Sequence, residues 1–507
     1  MIPQALIPLI GVLVVVFIAF YGFKSGGYLV HIGLMATPFL IYLVNNPSAW
    51  LVAILALIDS KLIFPGIPQG LNVVHVMMAG FVALIVARNI INKPESHPHD
   101  AADRFLIAFM VILAVTAATR GLGIRALGGE SWGGMGYIKL WLAGSFVLAS
   151  RYVTLSNRQL RVSIILMVLL GLLPVFAQFL FMVSRGAVYQ QYMFIEAYVG
   201  GLLDSLNAAE SGRGVVRYHM LSGLSSTALM MGIVLIPGVT AMQRLGVGAT
   251  VLGSLVLAGL SGFRGAILLV VGTVVLILLI ESKQNRLPRL AGFLFLVITG
   301  MVLSYPFLEH MPSSIQRTLS WMPGANVPLD IKIEAMNSVT TRTLVWEMAW
   351  AEVPRYLWIG KGFTINPADL LSVTVRQNWV LSAFLGHNYH SGPLTLLLDT
   401  GIFGFITGSG FMFASSVAAY RRLKYLDADP FLRRFYIFLL AQYIYTVPAY
   451  FFIFGDVRES FVTMFIRYAF MGVIVNSSIA LKAAAQPKPA RSSAVPAFPQ
   501  RRAIVFR

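Results

Sequence analysis

The sequence contains no cysteine and is poor in charge. Because none of its 507 residues is a cysteine, disulfides, a thiolate nucleophile and a cysteine-based metal site are excluded. Charged residues make up only 11% of the chain, whereas soluble globular proteins carry about 25%. The apolar set AVILMFWYC accounts for 57%. Since so few charges cannot cover a water-facing surface, the composition predicts an all-α, polytopic membrane protein.

Apolar runs separated by polar or basic breaks define the candidate membrane spans. A transmembrane helix needs about 20 apolar residues, and on this rule we expect about 12–14 helices. The candidate spans are 5–23, 28–44, 48–64, 71–91, 104–119, 136–150, 161–183, 218–236, 246–261, 264–281, 289–307, 391–419, 435–454 and 459–481. The first lacks a basic n-region and a small-residue cleavage site, so it is interpreted as a span rather than a removed signal peptide.

The spans and the breaks between them predict five regions. These are N-terminal helices over 1–183, central helices over 184–307, a large extramembrane loop over 308–390, C-terminal helices over 391–481 and a disordered basic tail over 482–507. Within the loop, the segments "TTRTLVWEMAWAEV" and "NPADLLSVTVRQNWVLSAFL" are typical of short amphipathic helices. Such helices would form a lid that lies on the bilayer.

The chain carries a large positive excess, with 38 Lys and Arg against 20 Asp and Glu, a net charge of +18. With both termini in the cytoplasm, the short inner loops are more basic than the short outer ones, as the positive-inside rule requires. We therefore attribute most of the excess to topology and expect no nucleic-acid partner. The large loop is then periplasmic.

Three groups of charged or titratable residues fall on the predicted outer face, and the positive-inside rule gives no reason for the two arginines among them. Arg217 lies in "GRGVVRYHMLSG" before a helix, and Arg264 lies at the Gly-flanked turn "LSGFRGAILL". His387 and His390 directly precede the helix that begins in "HSGPLTLLLDTGIFGF". Each alone has a structural alternative, such as an interfacial side chain, a turn cap or a packed histidine. Their convergence on one face favours a site.

This combination of residues suits one kind of chemistry. An arginine guanidinium binds phosphate oxygens in a bidentate manner, and a neutral histidine can take a proton from an attacking hydroxyl. Together they fit attack by an alcohol on a sugar whose leaving group is a lipid diphosphate, without a metal or other cofactor. The one Asp-x-Asp string, Asp427 to Asp429, falls in a cytoplasmic loop and is interpreted as a solvated turn.

Three stretches in succession resemble signatures of the O-antigen ligase and polymerase superfamily of bacterial membrane glycosyltransferases. They are "LSGFRGAILL", "RTLVWEMAWAEVPRYLWIGKGF" and "HSGPLTLLLDTGIFGF". The resemblance covers roughly 215–410 and does not extend to the first seven helices. It implies an inner-membrane enzyme that acts on glycans linked to undecaprenyl diphosphate, with its active site at the periplasmic face.

The resemblance assigns roles to the arginine positions. Arg217 and Arg264 match the two arginines that hold the diphosphate in the family, and Ser261 belongs to the Ser-x-x-Arg-Gly turn of Arg264. Arg342 matches the arginine before the "W..A" helix, and Gly360 and Gly362 match a Gly-x-Gly that follows it. The residue before Arg264 departs from the pattern, because Phe263 stands where serine is common.

The catalytic base is assigned to one of two histidines. Its spacing to Asp399 and Gly401 favours His390, whereas the dipeptide His387-Asn388 matches the His-Asn of many family members. We choose His390 as the base and His387 as its alternative. Asp399 is expected to support the site through packing or hydrogen bonding rather than proton transfer.

The function that these residues predict is glycosyl transfer in the polymerisation of O-antigen or exopolysaccharide repeat units. A ligase that transfers the glycan to lipid A core or another carrier shares the same motifs, so it remains an alternative. A flippase for lipid-linked sugars and a non-catalytic assembly protein are the alternatives from other classes. The expected partners are the lipid-linked glycan donor, an acceptor glycan or lipid, membrane lipids and other proteins of polysaccharide assembly.

Overall fold

The computed structural model describes residues 42, 45–62, 71–92, 100–124, 133–184, 215, 217–237, 240–281, 286–322, 324–366, 378–426 and 429–485. Over these residues the chain is α-helical, with short 3₁₀ segments and no β-strand. The helices are α1 Pro47–Leu57, α2 Val73–Asn92, α3 Ala101–Arg120, α4 Met135–Ala149, α5 Asn157–Gly171, α6 Leu173–Ser184, α7 His219–Leu235, α8 Ala241–Leu260, α9 Arg264–Glu281, α10 Arg286–Ser304, α11 Ser313–Leu319, α12 Leu329–Tyr356, α13 Trp379–Leu385, α14 Gly392–Arg422, α15 Pro430–Phe452 and α16 Val457–Ala485.

The described helices include nine that are long and apolar enough to cross a membrane. They are α2, α3, α5 with α6, α8, α9, α10, α14, α15 and α16, while α1 and α7 are shorter apolar helices. This confirms the predicted all-α, polytopic membrane protein. Four predicted features lie outside the described residues: the span at 5–23, almost all of the span at 28–44, most of the segment before Arg217, and the tail beyond 485.

Local sequence signals mark where several helices begin. Asp100 caps α3 and Thr240 caps α8, each in a reciprocal capping box with the residue three positions later. Asp429 caps α15 by accepting hydrogen bonds from the Phe431 and Leu432 amides, and it also pairs with Arg161 at 2.9 Å. This part of the Asp-x-Asp string therefore has a structural role.

The bundle centre is formed by its C-terminal helices. Of the apolar windows of α15 and α16, 61% and 67% are buried, against 11% for α8 and none for α10. Phe109 of α3 stacks on Phe461 of α16 with ring centroids 4.9 Å apart, and Phe411 of α14 meets Phe465 at the same separation. α8 and α10 are thus peripheral, and α3, α14, α15 and α16 form the frame that carries the site.

The large loop is more helical than the sequence indicates. The first predicted amphipathic segment is only the second half of α12, which runs for 28 residues from Leu329. Its first half contains Asn337, Thr340 and Thr341, which have low helix propensity, so tertiary contacts of Glu334 hold this half in place. Of the second predicted segment, the structure describes residue 366 and the residues from 378 onward, where α13 forms.

Candidate functional site

Two adjacent backbone segments bring Arg217 and Arg264 to the same end of the bundle. α8 ends at a tight turn in which Gly262 has a φ of 76°, and Arg264 begins α9 directly after it. The amide of Tyr218 donates a hydrogen bond of 2.9 Å to the carbonyl of Ser261. The segment that carries Arg217 therefore lies against the turn that carries Arg264, as the sequence predicts.

The loop helices add Arg317 and Glu334 to this end. Glu334 accepts from Arg217 at 2.6 Å and from Arg317 at 2.7 Å through its two carboxylate oxygens. Arg317 also donates to the carbonyl of Gly262 at 2.8 Å, and Arg264 donates to the Ser320 hydroxyl at 3.0 Å. Arg317 is almost fully buried. It was not among the predicted site residues.

Arg342 of α12 completes the group, which we call the arginine cluster: Arg217, Arg264, Arg317 and Arg342. Burial and then the charges of Arg264 and Arg217 lower the pKa of Arg342, so these guanidiniums act on one another directly. In the part of the chain that the structure describes, Glu334 is the one carboxylate that pairs with the cluster. The cluster therefore keeps a large positive excess.

The arginine cluster also has an unused hydrogen-bond donor. The Nε of Arg264 is buried and has no hydrogen-bond partner among the described residues. A buried, unpaired donor on a charged group is costly, and an anionic oxygen is the partner that best removes this cost. The cluster thus has the charge and the free donor of a site for a polyanion.

The two candidate histidines lie in a short strained loop between α13 and α14. His387 and His390 have φ values of 59° and 54°, a left-handed conformation that few residues other than glycine adopt. Trp346 of α12 donates to the carbonyl of Tyr389 at 2.7 Å and so fixes the loop between them. Such strain persists only where surrounding contacts enforce it, and it is concentrated at functional sites.

His390 lies within electrostatic range of Arg342, a member of the arginine cluster. Burial, followed by the charge of Arg342, lowers the pKa of His390 to about 4, so the ring is neutral near pH 7. Its Nδ1 is buried without a hydrogen-bond partner in the described residues, and the ring lies 5.4 Å from that of Phe454. A neutral histidine beside a cationic cluster has the protonation state that a general base requires.

His387 has a different environment. Its Nδ1 lies 2.8 Å from an Asp399 carboxylate oxygen, and both side chains are buried, with 1% and 0% of their surface exposed. The second oxygen of Asp399 has no hydrogen-bond partner among the described residues. Asp399 therefore contacts His387 rather than the arginine cluster. The arrangement resembles that of a catalytic histidine whose ring is oriented by a carboxylate.

The glycine pattern after Asp399 has a packing explanation. α14 is broken at Gly401, where φ is 72°, and a Cβ there would lie 2.5 Å from the Trp358 carbonyl oxygen. The break frees the Leu398 and Asp399 carbonyls to accept from the amides of Lys361 and Gly362 at 2.6 and 3.0 Å. The predicted Gly-x-Gly thus packs on the helix break and fixes the backbone of Asp399.

The predicted site residues separate into two groups. The first group is Arg217, Arg264 and Arg342, with His390 near Arg342, and the second is the pair His387 and Asp399. Ser261 belongs to neither group, because it is fully buried and stabilises the turn. Its hydroxyl donates to the Ala258 carbonyl at 2.6 Å and accepts from the Phe263 amide. Arg317 and Glu334 were missed because no sequence spacing connects a loop helix with a membrane turn 55 residues earlier.

The described residues form an all-α, multi-pass membrane protein with a cluster of arginines at one end of its helices. Residues 249–407 match the family model described as O-antigen ligase. This match confirms the predicted resemblance to the O-antigen ligase and polymerase superfamily, and it includes Arg264, Arg342 and both histidines but not Arg217. No curated protein matches the chain. The apolar helices indicate a multi-pass membrane protein, and its residues 249–407 are similar to O-antigen ligases.

Proposed function

We propose that the protein is a glycosyltransferase that transfers a glycan from undecaprenyl diphosphate to an acceptor hydroxyl at the periplasmic face. The observation that carries this proposal is the arginine cluster, in which one carboxylate, Glu334, pairs with two of four guanidiniums, and a neutral histidine lies near Arg342. The positive-inside rule, which assigns the opposite helix ends to the cytoplasm, supports the periplasmic side.

The donor diphosphate would bind in the arginine cluster. A diphosphate ester carries two negative charges, and several guanidiniums can contact its oxygens through paired N–H donors. Glu334 holds Arg217 and Arg317 in position, which lowers the cost of ordering these long side chains when the donor binds. The unpaired Nε of Arg264 would donate to one of the phosphate oxygens.

The reaction is a single displacement. His390 takes the proton of the acceptor hydroxyl as its oxygen forms a bond to the anomeric carbon, and the bond from that carbon to the donor phosphate oxygen breaks. The electron pair leaves with the undecaprenyl diphosphate, where the arginine cluster stabilises the developing charge. Attack opposite the leaving group inverts the anomeric centre. The chemistry on these residues needs no metal.

The His387–Asp399 pair supports a second assignment of the base. A carboxylate bonded to Nδ1 fixes the ring and stabilises the imidazolium that forms, as in hydrolytic triads. In our proposal this pair instead orients the loop that carries His390, because His387 is almost fully buried whereas His390 is partly exposed.

The test is transfer by the purified full chain in liposomes, with undecaprenyl-diphosphate-linked glycan as donor. We expect H390A to abolish transfer while H387A reduces it, since removal of a general base costs about 10²–10⁴-fold. N388A, next to both histidines, is the matched control and should stay close to wild type. Full activity in H390A together with loss in H387A would move the base to His387.

The length of the product distinguishes a polymerase from a ligase. We favour polymerisation, in which a lipid-linked repeat unit is the acceptor and the products form a ladder of lengths. A single transfer to lipid A core or another carrier would instead identify a ligase. Movement of the donor across the bilayer without glycosyl transfer would refute the enzymatic proposal and favour a flippase.

A further inference from the structure

A second cationic site lies at the opposite end of the helices. α7, α8, α9, α10 and α15 line an open cavity of about 470 Å³, which we call the basic pocket, and its charged residues are Arg244, Arg289, Arg434 and Glu281. Its volume falls within the range of about 300–1,000 Å³ that is common for small-molecule sites. The proposed glycosyl transfer uses none of these residues.

The arginines of the basic pocket occupy unfavourable positions. Arg244 and Arg289 are each the fourth residue of α8 and α10, and Arg434 is the fifth residue of α15. The positive end of a helix dipole repels a cation in the first turn. Arg244 and Arg289 lie in such first turns and Arg434 directly follows one, so with one carboxylate at the end of α9 they leave a positive excess that an anion would relieve.

Arg434 also offers a donor that the described protein does not use. Its Nε is buried and has no hydrogen-bond partner in the part of the chain that the structure describes. By contrast, Arg151 and Arg422 at this end of the bundle pair with Asp103 and Asp100, respectively. The buried Nε of Arg434 thus differs from the guanidiniums of these two arginines, which have carboxylate partners.

The walls of the basic pocket identify the kind of anion. Ile233, Val247, Val251, Val274 and Leu278 line it together with the charges, so a ligand must be apolar as well as anionic. The pocket also continues into the peripheral helices. α10 has no buried residue, and neighbouring α8 exposes Leu252 and Val256 to 64% and 52%. Such surfaces face the acyl chains of a bilayer.

We infer that the basic pocket binds the phosphate headgroup of an anionic membrane phospholipid, with its acyl chains along α8 and α10. The positive-inside rule assigns this end of the helices to the cytoplasmic leaflet. Basic pockets between transmembrane helices on that side are well suited to anionic headgroups, and apolar walls favour a lipid over a free phosphate. The site is independent of the proposed transferase chemistry.

Lipid binding to the purified, delipidated full chain tests this inference. Native mass spectrometry would measure the affinities for phosphatidylglycerol and for phosphatidylcholine with the same acyl chains, and glycerol phosphate serves as the headgroup without chains. We expect phosphatidylglycerol to bind most tightly and to raise Tm. Equal binding of phosphatidylcholine would refute a headgroup site, and equal binding of glycerol phosphate would identify a soluble phosphate ligand instead.

Variants locate the binding. The triple variant R244Q/R289Q/R434Q should lose about tenfold or more in affinity for phosphatidylglycerol, because each arginine contributes to the attraction. The matched control R104Q/R158Q/R421Q removes the same charge from exposed helix ends and should keep its affinity within about twofold. Equal losses in both would show nonspecific charge attraction and overturn the pocket.

A single variant tests the inference if the triple variant does not fold. R289Q changes a single exposed residue in the first turn of α10 and should fold normally. We expect it to weaken phosphatidylglycerol binding severalfold and to reduce the Tm increase that this lipid causes. Unchanged affinity in R289Q, together with unchanged affinity in the triple variant or its failure to fold, would contradict the inference.

Discussion

The two ends of the helical bundle use arginine in opposite ways. In the arginine cluster, Glu334 neutralises only part of the charge of four guanidiniums. At the other end, outside the basic pocket, three arginines have separate carboxylate partners. Arg151 pairs with Asp103, Arg422 with Asp100 at 2.7 Å and Arg161 with Asp429 at 2.9 Å.

This difference shows which arginines are available to a substrate. An arginine that has its own carboxylate has satisfied its charge within the protein, and it connects helices to one another. An arginine that shares a carboxylate with several others gains from an added anion. Burial does not separate the two kinds, because Arg317 in the cluster and Arg151 at the other end are both largely buried.

The largest expected difference between the two ends appears when two arginines are removed from either end. R217Q/R264Q removes two members of the arginine cluster and leaves Glu334 paired with Arg317. We expect transfer to fall by about 10⁴-fold, since one preorganised donor to a developing oxyanion contributes about 10²–10³-fold. The measurement is kcat/KM for the lipid-linked donor in liposomes.

The matched control for this experiment is R161Q/R422Q, which removes two paired arginines from the opposite end. Its transfer rate per folded molecule should remain within about twofold of wild type, because these side chains lie at the end opposite the arginine cluster. If it loses as much activity as R217Q/R264Q, the contrast between shared and paired arginines has no functional meaning.

The second prediction concerns the contribution of a paired arginine to stability. Asp103 is fully buried, so R151A removes the guanidinium from a buried carboxylate that keeps only weaker contacts such as the Asp100 amide. We expect a loss of about 3–5 kcal/mol in the free energy of unfolding, with kcat of the folded fraction unchanged. Unfolding in detergent by denaturant would measure it. R104A, an exposed arginine on the same helix as Asp103, is the control.

The double variant D103N/R151Q tests whether the loss comes from the unpaired charge. Removing both charges together should cost less than R151A alone, because no buried negative charge then remains without the guanidinium that compensates it. A loss in the double variant that equals or exceeds that of R151A would show that packing, rather than pairing, determines the stability of this end.

Most of the fold could be predicted from the sequence because a bilayer imposes a simple rule. Twenty apolar residues must form a helix wherever they occur, so the predicted spans from 71–91 to 459–481 coincide with described helices. The loop does not follow such a rule. There, α12 is longer than predicted because Glu334 is tethered by two arginines from distant segments.

The site was predictable only where the family pattern or the topology marks a residue. Arg217, Arg264 and Arg342 carry such marks, and the structure brings them together. Arg317 and Glu334 carry none, since their role arises from how α11 and α12 pack on the turn at Gly262. The pairing of His387 with Asp399 also depends on the helix break at Gly401, which spacing alone does not reveal.

The smallest expected effect concerns pH, and it tests whether the arginine cluster acts on His390. Because burial and Arg342 lower the pKa of His390 to about 4, the ring is neutral and active above that pH. Transfer should therefore change less than about twofold between pH 6 and 8 and should fall only as the ring gains a proton near pH 4. An unperturbed histidine would instead lose half its activity near pH 6.5. The measurement is kcat/KM for the donor from about pH 3 to 8, with Tm followed to exclude unfolding. In R342Q one positive charge beside the ring is gone, so the acid limb of the profile should move to higher pH. An R342Q profile identical to that of the wild type would show that Arg342 does not lower the pKa of His390. The arginine cluster would then act on the donor alone.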